Sequence, residues 1–313
     1  MGDMADQTQS PDAVVAGATG YIGHLLCRAL LDAGRSVRAL ARDPGRARDL
    51  EEEGCEIRKA DVLDPDSLPA ALEGAKVAYY LVHSMGRGSK GDFVELDRKA
   101  ALNFAQAAAK AGVDQIVYLG GLASGGSEHL ESRHATAGYL GSAGVPVTYF
   151  QAAAVIGAGS ESYRTLYWLV KRLPVMVTPR WTSTRTQPIA VGDVIAYLVT
   201  APETPGAKGQ VIQIGGPDVT TYGGMFSELA SAMGKRPPLQ LKIPLLTPKL
   251  SSHWIGLVTP VDAGVAKPLI EGLTVETVVD DPAGMALFDV SPTPITEAMK
   301  LALIEQGVAP AQS

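Results

Sequence analysis

Three glycines spaced three apart, in Gly17-Ala-Thr-Gly20-Tyr-Ile-Gly23, follow a short apolar run from Ala13 to Ala16. The next stretch places Ile22, Leu25, Leu26, Ala29 and Leu30 at helical spacing and stops at Gly34, a good residue just past a helix end. The order is therefore strand, compact turn, helix. Such a turn lets backbone approach a ligand without Cβ atoms in the way and opens the free N–H groups of a helix start, as a dinucleotide pyrophosphate requires. Gly17, Thr19, Gly20, Tyr21, Ile22 and Gly23 are the candidate cofactor residues of this turn.

The same rhythm continues. Val37 to Ala41 reads as a second strand, Asp64 and Pro65 open a short helix through Leu72, and Val77 to Val82 is apolar enough for a buried strand. Asp92 and Glu95 make a capping-box-like start for a helix carrying Leu96, Ala100, Phe104, Ala107 and Ala108 on one side. Strand Gln115 to Leu119, a helix over about Glu128 to Ala143 and strand Val147 to Phe150 follow. Alternating strands and helices predict an α/β fold, a doubly wound parallel sheet with helices on both faces. Beyond Gly157 prolines break up the pattern, except at Pro188 to Val191 with an Asp193-capped helix and at Val211 to Ile214. The expected division is a nucleotide-binding core of residues 12–157 plus 188–215, and a smaller, discontinuous substrate lobe of residues 158–187 plus 216–313.

Composition narrows the partners. With 46% hydrophobic and 19% charged residues among 313, the chain can bury a large core, which argues against disorder. A net charge of −6 without a cationic run argues against nucleic acid. No stretch approaches 18 apolar residues and Met1 to Pro11 is polar, so neither a membrane span nor a signal peptide is expected and the cytoplasm is the expected location. Cys27 and Cys55 are too few for a disulfide framework and read as reduced and structural. His134 and His253 lack ligand-spaced partners, so no metal is implied. A homo-oligomer is compatible with all of this.

A second glycine pattern, Gly86-Arg-Gly88-Ser-Lys-Gly91, sits in a long polar loop and reads as a flap over a pocket rather than a phosphate cradle. The second strand ends Ala41-Arg42-Asp43-Pro44, with Arg38 before and Arg46 after. Arginine at this point suits the 2′-phosphate of NADP(H); the alternative is that Asp43 holds the ribose of NAD(H). Asp61 ends the third strand, placed either to meet an adenine edge or to cap a turn.

These residues resemble the short-chain dehydrogenase/reductase superfamily in its atypical and extended, NmrA-like branch. The resemblance spans nearly the whole chain. Besides the glycine turn and Ala41-Arg42-Asp43-Pro44, it is carried by Ala60-Asp61-Val62, Ala107-Ala-Ala-Lys-Ala-Gly-Val113 and Ile116-Val-Tyr-Leu119. Gly144-Val-Pro-Val-Thr148 and Pro188-Ile-Ala-Val-Gly-Asp193 complete it. It implies a Rossmann core binding NAD(P), with Val62, Leu81, Val82 and His83 along the cofactor and the nicotinamide near strands four to six. After strand six, Ala153 would then pack at the cofactor with Ala152 and Ala154 while Val155 or Ile156 flanks the nicotinamide ring, and the C-terminal part would supply the lobe for an apolar small-molecule substrate.

Family reductases commonly use a Ser, a Tyr and a Lys four residues after the Tyr. No Tyr-x-x-x-Lys occurs in the matching segment, which reads His129-Leu-Glu-Ser-Arg133, and Gly120 and Gly121 stand near the usual serine position with Ser124 beyond. His129 and Arg133 share a helical face, so His129 is a candidate proton donor and Arg133 a candidate ligand of the nicotinamide ribose or of an oxyanion. Ser124 and His83 are further catalytic candidates. An alternative is that His129 caps the helix and Arg133 only binds cofactor. Tyr163, Tyr167, Trp168, Trp181 and Trp254 either line a substrate pocket or pack the core. The expected activity is NADP(H)-dependent oxidoreduction of a carbonyl, hydroxyl or activated alkene. The alternatives are a non-catalytic NADP(H) sensor and a nicotinamide-using epimerase or dehydratase.

Overall fold

The fold was read from a computed structural model that describes residues 10–83, 92–122, 128–178, 180–242 and 274–311. Seven strands form one parallel sheet: β1 (Ala13–Ala16), β2 (Val37–Ala41), β3 (Glu56–Lys59), β4 (Val77–Tyr80), β5 (Gln115–Gly121), β6 (Val147–Ala152) and, later in the chain, Val211–Ile214. Short strands β7 (Val155–Ile156), β8 (Val175–Thr178), β9 (Arg185–Thr186) and β10 (Ile189–Ala190) precede that last strand, β11; β12 (Thr220–Thr221) and β13 (Leu239–Lys242) follow it. The sheet order is β11-β6-β5-β4-β1-β2-β3, so strand order reverses between β1 and β4. In doubly wound sheets that reversal opens the crevice where a dinucleotide lies.

Every residue of β1, β2 and β4 is buried, as strands covered by helices on both faces must be. Along β1, Ala13 and Val15 face one apolar layer and Val14 and Ala16 the other. Helix α1 (Tyr21–Asp32) closes the first layer; α2 (Arg48–Glu52) and α3 (Leu68–Leu72) lead to α4 (Asp92–Lys110) and α5 (Glu128–Gly141), and α3 to α5 close the second. Helix α7 (Val191–Thr200) packs beside α1, whereas α6 (Glu161–Arg172), α8 (Tyr222–Ala232) and α9 (Ile295–Glu305) share a third apolar cluster.

Several expectations are adjusted by long-range bonds. Strand β4 ends at Tyr80 instead of Val82, because the chain leaves the ladder once Leu81 N has bonded Ala16 O at 2.9 Å. Strands β5 and β6 each run two residues further than expected, pairing Gly120 with Gln151 and Gly121 with Ala152. Asp193 does not cap α7, which begins at Val191. Its carboxylate instead accepts from Thr293 N at 2.7 Å and Thr293 Oγ1 at 2.9 Å, a hundred residues away. Glu95 pairs with Arg98 at 2.6 Å. Cys27 and Cys55 are buried free thiols.

At the entry to β1, Asp12 accepts from Lys76 Nζ at 2.9 Å, Ser36 Oγ at 2.8 Å and Ser36 N at 3.1 Å, tying together the starts of β1, β2 and β4. These bonds, with Lys76 first, lower its pKa from 3.8 to about 2. A carboxylate held low stabilises the fold above its unfolded pKa and loses that contribution as pH falls. The Asp12→Asn variant should therefore lose stability at neutral pH and show a shallower fall in urea midpoint between pH 4 and pH 2 than the wild type. Parallel curves would remove Asp12 from the acid transition.

Candidate functional site

At the C-terminal ends of β1, β2, β3 and β4 lies a cavity of about 240 Å³. Its wall is made by Gly17, Thr19 and Gly20 of the first turn, Arg42 and Arg46 after β2, Asp61 and Val62 after β3, and Leu81, Val82 and His83 after β4. The structure thus gathers nine of the residues singled out in the sequence, Gly17, Thr19, Gly20, Arg42, Asp61, Val62, Leu81, Val82 and His83, around one concavity.

The first turn has the form an anion needs. Gly17 takes φ +92°, and a Cβ there would lie 2.7 Å from Leu81 O. Gly20 precedes α1 in extended conformation, no side chain caps the first helical turn, and no acidic residue stands in it. The N–H groups of that turn, with the positive end of the helix dipole, are left for a ligand. Gly23 lies behind the cavity, where its lack of a Cβ lets α1 pack on the turn.

The arginines divide. Arg38 is buried, pairs with Glu56 at 2.7 Å and donates to Ala71 O and Glu73 O at 3.1 and 2.8 Å, so it fastens β2 to β3 and α3 and takes no part in the cavity. Arg42 and Arg46 are exposed on the cavity rim. Asp43 accepts from Gly45 N at 3.1 Å, capping the short helical turn that carries Arg46. Asp61 caps a turn, accepting from Leu63 N at 3.0 Å, and also lines the cavity.

The remaining cofactor candidates stand off this wall. Tyr21 donates from its hydroxyl to Glu305 at 2.8 Å, joining the glycine turn to α9, and Ile22 packs into the first apolar layer. Ala153 and Val155 follow β6, over the half of the sheet where the second nucleotide of a dinucleotide extends. Ser124 and the loop from Gly86 to Gly91 lie outside the described residues, as do Trp254 and the side chains of His129 and Trp181. Tyr163 and Tyr167 are buried in the third apolar cluster, with Trp168 packed against it.

Beside the cavity, at the ends of β5 and β6, is a polar aromatic group that the sequence reading missed. Tyr118 and Tyr149 stack with ring centroids 5.0 Å apart, and His83 on the cavity wall is 6.1 Å from Tyr118. The Tyr149 hydroxyl meets His134 Nδ1 at 3.2 Å, and Gln151 Nε2 meets the same nitrogen at 3.3 Å. Arg133 accepts at its carbonyl from Tyr118 Oη at 3.2 Å, while its guanidinium Nε is buried without a hydrogen-bond acceptor among the described residues. Burial pushes the Tyr149 phenol up to about 12, with the Gln151 contact and the Arg133 charge opposing the rise. The sequence signal for this group was the Gly120-Gly121 pair opposite an aromatic strand.

Residues 17–161 match the NAD(P)H-binding family. This part of the chain is an NAD(P)H-binding domain. The cavity and its glycine turn fall at the start of that domain, and the aromatic group falls within it. Cinnamoyl-CoA reductase 1 of Oryza sativa subsp. japonica is 35% identical over 111 residues, 33% of this chain and 32% of that protein. The match thus spans about a third of that relative's length. Ceramide reductase of Caulobacter vibrioides is 28% identical over 268 residues, 81% of each chain. The structure of Citrobacter sp. triphenylmethane reductase complexed with NADP(H) superposes with a TM-score of 0.74 at 20% identity, over 93% of this chain and all of that one. The NAD(P)H-binding domain therefore sits in a Rossmann-like fold shared along the chain. Among the described residues no helix is long and apolar enough to cross a membrane.

Proposed function

We propose that the protein is a cytoplasmic NADP(H)-dependent oxidoreductase acting on a carbonyl, hydroxyl or activated alkene of an apolar small molecule, at a site lacking Tyr-x-x-x-Lys. The observation that carries the cofactor half is that Arg42 and Arg46 share a rim with the glycine turn while Asp43 is engaged by Gly45 N. Two exposed guanidinium groups suit a 2′-phosphate, and an engaged carboxylate is a poor reader of ribose hydroxyls. At 240 Å³ the cavity is smaller than the roughly 300–1,000 Å³ of complete small-molecule sites, in keeping with one end of a dinucleotide.

In this reading Gly17, Gly20 and the first turn of α1 hold the pyrophosphate, Asp61 and Val62 border the adenine, and Leu81 to His83 lead toward the nicotinamide. The bound cofactor supplies or takes a hydride. Residues 12–157 and 188–215 carry the cofactor, and residues 158–187 and 216–313 form the substrate lobe. The reductase relatives support this reading.

Titration with NADPH and, separately, NADH, followed by ligand fluorescence, tests the cofactor half. Tight NADPH and weak NADH binding is expected; binding of neither would sink the nucleotide assignment. The absence of Tyr-x-x-x-Lys favours a second reading, an NADP(H) sensor acting through a protein partner. A sensor binds NADPH and leaves it unoxidised with every carbonyl and quinone offered.

A further inference from the structure

Reduction of a carbonyl needs an acid to meet the oxygen as the hydride arrives, and helix α5 carries no Tyr-x-x-x-Lys to supply one. Strand β6 carries a phenol to the same neighbourhood. Gly120 is paired with Gln151 at the end of β5, and a Cβ built on Gly120 would lie 2.8 Å from Tyr149 Oη. The Tyr149 hydroxyl thus occupies the space that a side chain at this strand end would fill. We propose that Tyr149 is the proton donor of the reaction, with His134 restoring its proton and Arg133 holding the phenolate. This rests on the oxidoreductase reading.

Three features support the assignment. Tyr80 and Tyr118 form the last β4–β5 pair, so Val82, which lines the cavity, and Gly120 each lie two residues beyond it, and the phenol lies one strand further toward β6. That is the direction in which a dinucleotide runs from the glycine turn across the strand-order reversal. A buried guanidinium nitrogen without an acceptor is costly in a neutral setting and finds a use when an anion forms beside it. Finally, Gln151 Nε2 donates to His134 Nδ1, the nitrogen that faces the phenol, and so holds the imidazole against the Tyr149 hydroxyl.

In the reducing direction the carbonyl carbon gains the hydride given up by the reduced nicotinamide dinucleotide, and the C=O π pair moves onto oxygen. That oxygen takes the Tyr149 proton, giving an alcohol and the oxidised dinucleotide. The phenolate, opposite the Arg133 charge, is reprotonated across the 3.2 Å contact by His134 once the imidazole has taken a proton from water.

The test uses Tyr149→Phe, which keeps the stacked ring and removes only the hydroxyl. With phenanthrenequinone and cinnamaldehyde as acceptors, kcat should fall by about 100-fold or more, as loss of a general acid does, while NADPH affinity stays within about twofold. Gly120→Ala, which crowds the phenol and deletes no polar group, should show the same split. Unchanged kcat in Tyr149→Phe overturns the proposal and leaves the oxidoreductase reading standing.

A readout independent of turnover separates the two. In protein labelled with ¹³C at the tyrosine ζ carbon, the resonance missing from Tyr149→Phe should move on addition of NADP⁺, whose charged ring arrives beside the phenol, and much less with NADPH. Binding of NADP⁺ without that movement overturns the role of Tyr149. Movement in a protein that oxidises no NADPH would keep the phenol at the nicotinamide and sink the substrate reading instead.

Discussion

Gly23→Ala is expected to abolish NADPH binding at any practical concentration, a loss of about 100-fold or more, and to lower the thermal midpoint by a few degrees. A Cβ at this position overlaps Gly17 O and comes within 2.8 Å of Gly17 C and 2.9 Å of Ala18 Cα. All three atoms belong to the backbone of the turn, so no side chain can rotate away. Either α1 shifts along the sheet or the Gly17 turn opens, and overpacking of this kind costs roughly 1–3 kcal/mol. Opening the turn also moves the N–H groups that face the pyrophosphate, so binding falls further than stability does. Gly192→Ala is the control, because Gly192 is exposed in α7 with nothing within 4 Å of a Cβ. It should keep NADPH affinity and gain up to about 1 kcal/mol of helix stability. If Gly23→Ala bound NADPH as the wild type does, the glycine turn would not be the pyrophosphate site.

The residues legible in the sequence are those whose position follows from strand ends alone. Once Ala13 to Ala16 and its neighbours are read as parallel strands, sheet order brings the residues after β1, β2, β3 and β4 to one crevice, and these make the cavity wall. Long-range pairing is what the sequence hid. Arg38 looks like a sibling of Arg42 in the chain, yet it lies within β2 directly opposite Glu56 of β3, where it pairs with that carboxylate and reaches the end of α3, whereas Arg42 falls past the strand end. Asp193 resembles a helix cap until Thr293 is found beside it. Tyr149 has no local motif; its standing depends on the register that sets Gly120 beside its ring and on α5 delivering His134 above it. Tyr21 sits inside the glycine motif but answers to Glu305, on the last helix.

Arg42→Ala/Arg46→Ala is expected to weaken NADPH binding by about 100-fold while leaving NADH within about twofold, turning a selective site into an indifferent one. Both side chains stand on the cavity rim beyond β2, with Leu40 and Ala60 closing the floor between them and the glycine turn. Hydrogen bonds to a charged partner contribute roughly 1.5–3 kcal/mol each when shielded, and exposure brings these two to the lower end, about tenfold apiece. The single variants should therefore each show part of the loss. Because the contact is between exposed charges, raising ionic strength from about 0.05 to 0.5 M should weaken wild-type binding of NADPH and barely change NADH. Asp43 supplies the opposing outcome. It can serve a ribose diol only by releasing Gly45 N, which would unfasten the turn carrying Arg46. A wild type that prefers NADH, with NADPH binding unmoved by loss of both arginines, would mean that this exchange takes place and that the cap is the real reader of the cofactor.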